Sequence, residues 1–394
     1  MATSPQLRCL IVVPPLAGHV HPILGIEREL RARGHQVAWA GSELVLRPIL
    51  GPDAHILPTG SRLFREQGGS GDAALHSLWE GFVRPYTRFT IKALDRELTA
   101  YRPDLVLVDQ HAPVGALVAH RRGVRWATLA PSSMELGRPL RERPELEAWL
   151  DDLLLDLWRK AALPEEEYID PRFSPDLVLA LTSRVLAGDG PWPEHYALVG
   201  PILAERPSPP EFPWELLDPA RRHVLVTLGT LAADVAGDFY ARAAEALAPL
   251  GDRVQGILAA PEEALAGLPE LPPGLLVLPR VPVLQLLARG ELDAVLSHGG
   301  MNTVCETLTH GLPLVIAPIR HDQPITADQV VAAGAGLRVD FTGATPEQLR
   351  EALTSVLDEP GYREAAELVR NRFLAEGGAR TAVDLLEQLA AGTP

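Results

Sequence analysis

The decapeptide Ser297-His298-Gly299-Gly300-Met301-Asn302-Thr303-Val304-Cys305-Glu306, directly after the predicted strand 293–296, decides how this chain is read. A short strand that runs through two glycines into helical spacing is the joint of an open α/β sheet. Ligands of such sheets bind beyond the carboxyl ends of the strands, and N–H groups at a helix start attract anions. Gly299 and Gly300 let a backbone approach a phosphate closely, while His298, Asn302 and Thr303 add side-chain donors. The stretch therefore offers a pyrophosphate cradle without lysine. A plainer account also fits: Thr303 and Glu306 have the Ser/Thr-x-x-Glu spacing of a capping box, and paired glycines before a helix are ordinary turn chemistry. Downstream, Gly311-Leu312-Pro313 leads through an apolar strand to Pro318-Ile319-Arg320-His321-Asp322-Gln323-Pro324. An acid and an amide, Asp322 and Gln323, thus stand at a second strand end, where they can exchange hydrogen bonds with sugar hydroxyls.

The same alternation recurs along the chain. Strands are predicted at 7–13, 35–40, 104–108, 125–130 and 177–181, then at 224–228, 254–258, 275–278, 293–297 and 313–317. Helical spacing occupies 20–33, 238–247 and 301–309, and an amphipathic closing helix is predicted over 379–390. The proline-rich run 201–219 separates two series of this kind. The expected fold is α/β, with two Rossmann-like halves facing a cleft: an N-terminal domain at 1–205, a linker at 206–220, a second domain at 221–378 and a C-terminal helix at 379–394.

Composition narrows the partners. The chain has 394 residues and a net charge of −15, with 22 basic against 25 acidic residues through position 200 and 14 against 26 after it. So acidic a surface argues against nucleic acid or an anionic membrane as the main partner. Two cysteines, Cys9 and Cys305, are too few for a disulfide framework or a Cys-based zinc site. The apolar run 9–13 stops at Pro14 and Pro15, so no export signal is expected, and no stretch reaches the ~18 to 20 apolar residues of a membrane span. A soluble cytoplasmic protein, monomeric or homodimeric, is the expectation.

His19 follows the loop after the first strand, and Asp109 closes another strand of the same domain. An imidazole, with its ordinary pKa near ~6.5, can accept a proton at neutral pH, and a carboxylate partner would fix its tautomer and stabilise the cation formed. The plainer account makes them a loop residue and a strand-end cap. His19-x-His21 lacks a third ligand in view, so no metal is expected.

The run from Arg280 to Gln323, with Val281-Pro282, HGGMNTVCE, HGLP and HDQ, resembles the donor-binding signature of family 1 UDP-dependent glycosyltransferases, which have the GT-B fold. The likeness is to bacterial natural-product and macrolide-type members. It extends to Gly18-His19-Val20-His21-Pro22, to 103–109 and to 225–230, and so covers most of the chain. The resemblance implies that His298, Gly300, Asn302 and Thr303 hold the diphosphate with help from Thr230, that Glu306 holds the ribose hydroxyls, and that Asp322 and Gln323 hold the transferred sugar. It also implies a catalytic dyad of His19 and Asp109, with the acceptor on the N-terminal domain and the donor on the other. Three positions depart from the pattern. His21 stands where many relatives have Asn, Arg280 where plant members have a base-stacking Trp, and Val283 where they have Gln. Base contacts would then come from backbone around Val281, with the Arg280 guanidinium stacking.

The resemblance implies an inverting, metal-independent transfer of a hexose, with glucose from UDP-glucose favoured by Asp322 and Gln323, to a hydroxyl of a hydrophobic small-molecule natural product. Residues 59–88 and 132–168 are the expected acceptor walls, with Phe64, Trp79, Phe82, Tyr86, Phe89, Met134 and Trp149, although for any one of them ordinary core packing is the better account. A TDP-deoxysugar donor is the alternative. Residues 108–119 with Asp322-Gln323-Pro324 are also similar to zeaxanthin glucosyltransferases, which keeps a carotenoid acceptor open. A sugar-nucleotide epimerase and a non-catalytic glycosyltransferase auxiliary protein are the other classes. A dehydrogenase is disfavoured because no G-x-G-x-x-G follows a predicted strand, and a pyridoxal phosphate enzyme because neither Lys92 nor Lys160 stands at a strand end.

Overall fold

A computed structural model of the chain describes residues 6–60, 69–206, 209–229, 237–261, 264 and 274–392. The chain divides into two compact units, one of residues 1–67, 72–207 and 376–394, the other of 208–375 with 68–71. In the first unit the strands are β1 (Arg8–Val12), β2 (Gln36–Gly41), β3 (Ile56–Pro58), β4 (Leu105–Asp109), β5 (Trp126–Ala130), β6 (Val178–Ala180) and β7 (Tyr196–Leu198). They form one sheet in the order β3-β2-β1-β4-β5-β6-β7, and every neighbouring pair is parallel. The second unit holds β8 (Arg222–Thr227), β9 (Val254–Ala259), β10 (Leu276–Leu278), β11 (Ala294–Ser297), β12 (Leu314–Ile316) and β13 (Gly336–Arg338), ordered β10-β9-β8-β11-β12-β13 and again parallel throughout.

Helices cover both faces of such sheets, which is why the strands read as unbroken apolar runs rather than alternating ones. Cys9 and Ile11 of β1 point into a core shared with Ile23, Ile26 and Leu30 of the following helical segment. That segment was predicted as one helix over 20–33. It is broken instead into a turn at Ala17–Val20, a 3-10 turn at His21–Ile23 and a helix at Leu24–Ala32, because Pro22 has no N–H to donate and fixes φ at the second position of a tighter turn. The C-terminal helix Gly378–Ala391 buries Ala382, Val383 and Leu386 in this same core. Covering a Leu of this kind stabilises by about 1.5–3 kcal/mol, so the helix is part of the first unit's fold. Within the expected linker, Trp214–Leu216 makes a single 3-10 turn and Arg289 stacks its guanidinium 3.7 Å from the Trp214 ring; residues 207–208 of that linker lie outside the described residues.

The strand order fixes where ligands can sit. In the first sheet the chain runs outward from β1 to β2 and β3, then returns to the other side of β1 as β4; in the second it does the same from β8, returning as β11. Adjacent loops that leave β1 and β4, or β8 and β11, therefore diverge to opposite faces of the sheet and open a crevice at the carboxyl edge. Among the described residues no helix is long and apolar enough to cross a membrane.

Candidate active site

His19 and Asp109 occupy the switch point of the first sheet. His19 lies in the one-turn helix Ala17–Val20 that follows β1, and Asp109 is the last residue of β4. Their side chains meet with Nδ1 2.8 Å from Oδ2, the Asp109 side chain fully buried and that of His19 17% exposed. The other carboxylate oxygen accepts the backbone N–H of His111 at 2.8 Å. An ionised carboxylate only accepts, so Nδ1 of His19 is its protonated nitrogen and Nε2 presents a lone pair.

A second imidazole reaches that lone pair, and it belongs to His111 rather than to His21. Nδ1 of His111 is 3.4 Å from Nε2 of His19, with the ring centroids 4.9 Å apart and the planes inclined at 50°. Behind His111 stands Glu135, Oε1 at 3.8 Å from Nε2. Oε2 of Glu135 accepts from Arg172 at 2.7 Å, and Arg172 grips Asp170 with two further N–H groups at 3.0 and 2.8 Å. Burial alone would push the Glu135 carboxyl up, but the Arg172 guanidinium, with His111, outweighs it and holds the carboxyl below its ordinary value. His21 is instead carried down to about 4, mainly by burial and secondarily by Arg206. Sequence reasoning missed His111, Glu135 and Arg172; the one available signal was the position of His111, two residues past a strand-end carboxylate.

The aromatic residues of the expected acceptor walls divide. Trp79 and Phe82, in a π-helical turn at Ser77–Val83, and Tyr86 beyond it are buried and pack in the core, with the Trp79 edge against His111 at 5.6 Å between centroids. Met134 is buried too. Phe89 is 56% exposed, while Trp149 donates to Glu80 and packs on His76 at 4.0 Å between ring centroids. Phe64 lies outside the described residues.

In the second unit, Gly229, His298 and Asp322 follow β8, β11 and β12, three neighbouring parallel strands, at one edge of the sheet. The His298 ring packs between two glycines: a Cβ added to Gly229 would fall 2.8 Å from its Cε1, and one added to Gly300 2.6 Å from its Nε2. Gly299 has φ +83°, and a Cβ there would meet Ile316 at 2.6 Å. Nδ1 of His298 is buried without a hydrogen-bond partner. Burial lowers the imidazole to about 4, against an upward pull from Asp322, so the ring is neutral at pH 7.

The helix Met301–Thr309 starts at Gly300 with no side-chain cap. Thr303 is thus already inside the first turn, and the capping box that the Thr303–Glu306 spacing allowed is not formed. Its first-turn N–H groups, with Asn302 and Thr303 at half-buried positions, make the end electropositive. Glu306 is buried one turn further on. The loop after β12 holds His321 at φ +58°, a left-handed conformation that costs a non-glycine residue of order 1–3 kcal/mol and that clusters at functional sites. Gln323 turns its Oε1 onto the backbone N–H groups of Ile319 and Arg320 at 2.8 and 2.9 Å, so a ligand would meet its amide –NH₂. Arg280 is exposed and Val281 buried on the loop after β10. Thr230 lies outside the described residues.

The family described as "Erythromycin biosynthesis protein CIII-like, C-terminal domain" matches residues 244–389. Over whole chains, 4'-demethylrebeccamycin synthase of Lentzea aerocolonigenes is 27% identical across 97% of this chain and 99% of its own. Oleandomycin glycosyltransferase of Streptomyces antibioticus is 27% identical across 94% of this chain and 88% of its own. Among solved structures, the glycotransferase of kitacinnamycin superposes with a TM-score of 0.83 at 28% identity, over 98% of this chain and 99% of that one.

Proposed function

Starting from a family 1 glycosyltransferase of the natural-product type with the GT-B fold, we propose that this protein transfers a hexose, with inversion, from a UDP-sugar to a hydroxyl of a hydrophobic small molecule. The observation that carries the reading is the 2.8 Å contact between His19 and a fully buried Asp109 at the switch point of the first sheet. Nε2 of His19 takes the acceptor's proton as its oxygen attacks the anomeric carbon, and Asp109 stabilises the imidazolium that forms. The nucleoside diphosphate leaves from the opposite face, so an α-linked donor gives a β-glycoside. His298, Asn302, Thr303, Thr230 and the helix start at Gly300 meet the leaving-group charge, since fixed dipoles aimed at developing charge stabilise it strongly without a metal ion.

Glu306 is assigned to the ribose, Arg280 and the backbone at Val281 to the base. Asp322 accepts and the Gln323 amide donates to sugar hydroxyls, which favours a donor sugar rich in hydroxyls such as glucose over a deoxysugar. Incubation with UDP-glucose over a panel of flavonoids, macrolides, anthraquinones and carotenols tests the reading. UDP release should depend on the acceptor, and His19→Ala should abolish most transfer while retaining the thermal shift given by UDP. Undiminished transfer by the variant would remove His19 as base, and a larger thermal stabilisation by TDP than by UDP would overturn the uridine assignment.

A further inference from the structure

We infer that His111 caps the base: its Nδ1–H donates to Nε2 of His19, so that a hydroxyl must displace His111 to reach the lone pair, and water is discouraged from serving as the acceptor. The two nitrogens are hydrogen-bonded at 3.4 Å. Nδ1 of His19 already gives its hydrogen to Asp109, so Nε2 can only accept, and the shared hydrogen comes from Nδ1 of His111. The buried surroundings favour the same tautomer. With its hydrogen on Nε2 instead, His111 would hold a buried donor that makes no hydrogen bond, since Oε1 of Glu135 stays 3.8 Å away. Leaving a buried donor unpaired is the costly choice, and the Glu135 charge is met by Arg172 at 2.7 Å in any case.

One carboxylate sets both rings. Oδ2 of Asp109 holds the imidazole of His19 while Oδ1 holds the backbone N–H of His111, each at 2.8 Å. The edge of Trp79 stands at right angles to the His111 ring with the centroids 5.6 Å apart, and the His111 side chain is only 8% exposed. The cap is nevertheless weak. It is longer than the ~2.9–3.0 Å that such bonds prefer, and the rings are inclined at 50°. A neutral hydrogen bond of this kind changes an equilibrium by about 2- to 12-fold. Water exchanges one hydrogen bond at Nε2 for another and gains nothing by it. An acceptor held through its apolar body brings binding energy from elsewhere and displaces His111. The reaction restrained is hydrolysis: the oxygen of water bonds to the anomeric carbon, the bond from that carbon to the diphosphate oxygen breaks, and the proton passes to Nε2 of His19, giving free sugar and UDP. His111 acts through His19 and is therefore a positioning residue.

The consequence for turnover rests on the proposed function, whereas the tautomer does not. The test has two arms, both on the full-length protein. Nitrogen-15 spectra of histidine-labelled protein, assigned with His111→Leu, distinguish a ring nitrogen that bears hydrogen from one that holds a lone pair. Hydrogen on Nδ1 of both His19 and His111 is expected; hydrogen on Nε2 of His111 overturns the cap. In the second arm, UDP and free glucose released from UDP-glucose without acceptor are compared with glycoside formed when acceptor is present. His111→Leu should raise the ratio of hydrolysis to transfer about 2- to 12-fold. His111→Asn, whose amide –NH₂ replaces Nδ1–H, should lie closer to the wild type. A merely structural role would lower both reactions and leave their ratio unmoved. An unchanged ratio in His111→Leu, or a gain in hydrolysis that survives in the His19→Ala, His111→Leu double variant, overturns the proposal. A wild type that transfers no sugar sinks the glycosyl-transfer reading and leaves the tautomer to the spectra; transfer with hydrogen on Nε2 of His111 does the reverse.

Discussion

Replacing Asp109 by Asn keeps the shape of the side chain and removes its charge. In the structure one carboxylate oxygen accepts from His19 and the other from the His111 backbone, and neither has solvent to fall back on. The amide can still accept one of these bonds, so the fold should persist; what disappears is the negative charge beside the imidazolium. At an effective dielectric of ~20, two unit charges ~4 Å apart attract by about 4 kcal/mol, and a charge-assisted hydrogen bond alone contributes about 1.5–3 kcal/mol. A loss of 3–4 kcal/mol in the transition state lowers kcat by roughly 10²- to 10³-fold. The amide can also donate to Nδ1, which moves the proton to Nε2 and leaves no lone pair for the acceptor, so the larger figure is the upper end of the same expectation. Initial rates of acceptor-dependent UDP release at saturating donor measure this directly. The UDP thermal shift serves as control and should be unchanged, because the donor signature lies on the other unit. A variant within fivefold of wild-type kcat would refute the reasoning.

Four further outcomes follow from the structure. Gly300→Ala puts a Cβ 2.6 Å from Nε2 of His298 and must displace that ring; calorimetric UDP affinity should fall at least ~10-fold, with little change in melting temperature, if His298 holds the diphosphate. His21 and His298 are both carried from an ordinary 6.5 to about 4 by burial, so the unfolded chain takes up protons that the fold refuses. The stability they protect is therefore present above about pH 6.5 and is lost as pH falls toward 4, up to about 3 kcal/mol for each, read as a declining denaturant midpoint. The same depressed value predicts that UDP binding at pH 5 takes up protons at His298, measured by calorimetry in buffers of differing ionisation enthalpy. Arg172→Met strands the buried carboxylate of Glu135 and should cost about 3–5 kcal/mol of stability, part of which Glu135→Gln in the same chain restores; equal melting of all three proteins would contradict the pairing.

The helix after the glycine pair was legible to the residue, 301–309 in sequence and structure alike, because that pair and a buried strand stand in front of it. Most predicted strands differ by only a residue or two, since burial on both faces makes them continuous apolar runs. Local patterns failed where a tighter local rule or a tertiary contact intervened. Pro22 broke a helix whose apolar spacing was otherwise sound, and Thr303 lost its capping role because the helix begins two residues earlier, at Met301. Trp79, Phe82 and Tyr86 could not be sorted between core and cavity wall, because the same side chains serve both and only packing decides. The pairing of His19 with Asp109 was suggested by the family resemblance more than by local pattern; the sequence alone placed His19 after one strand and Asp109 at the end of another in the same domain. The chain from His111 through Glu135 to Arg172 was not legible, as its members come from separate loops with no period to link them, and an isolated Arg in sequence carries no sign that it will be buried between two carboxylates.

The most direct test of the account is acceptor-dependent release of nucleoside diphosphate from UDP-glucose, run side by side on the wild type and His19→Ala with the glycoside product identified. The account predicts release and a β-glycoside only when a hydroxyl acceptor is present, and loss of both in the variant although UDP still raises its melting temperature. Transfer by His19→Ala at the wild-type rate, or an α-linked product from the α-linked donor, would contradict it.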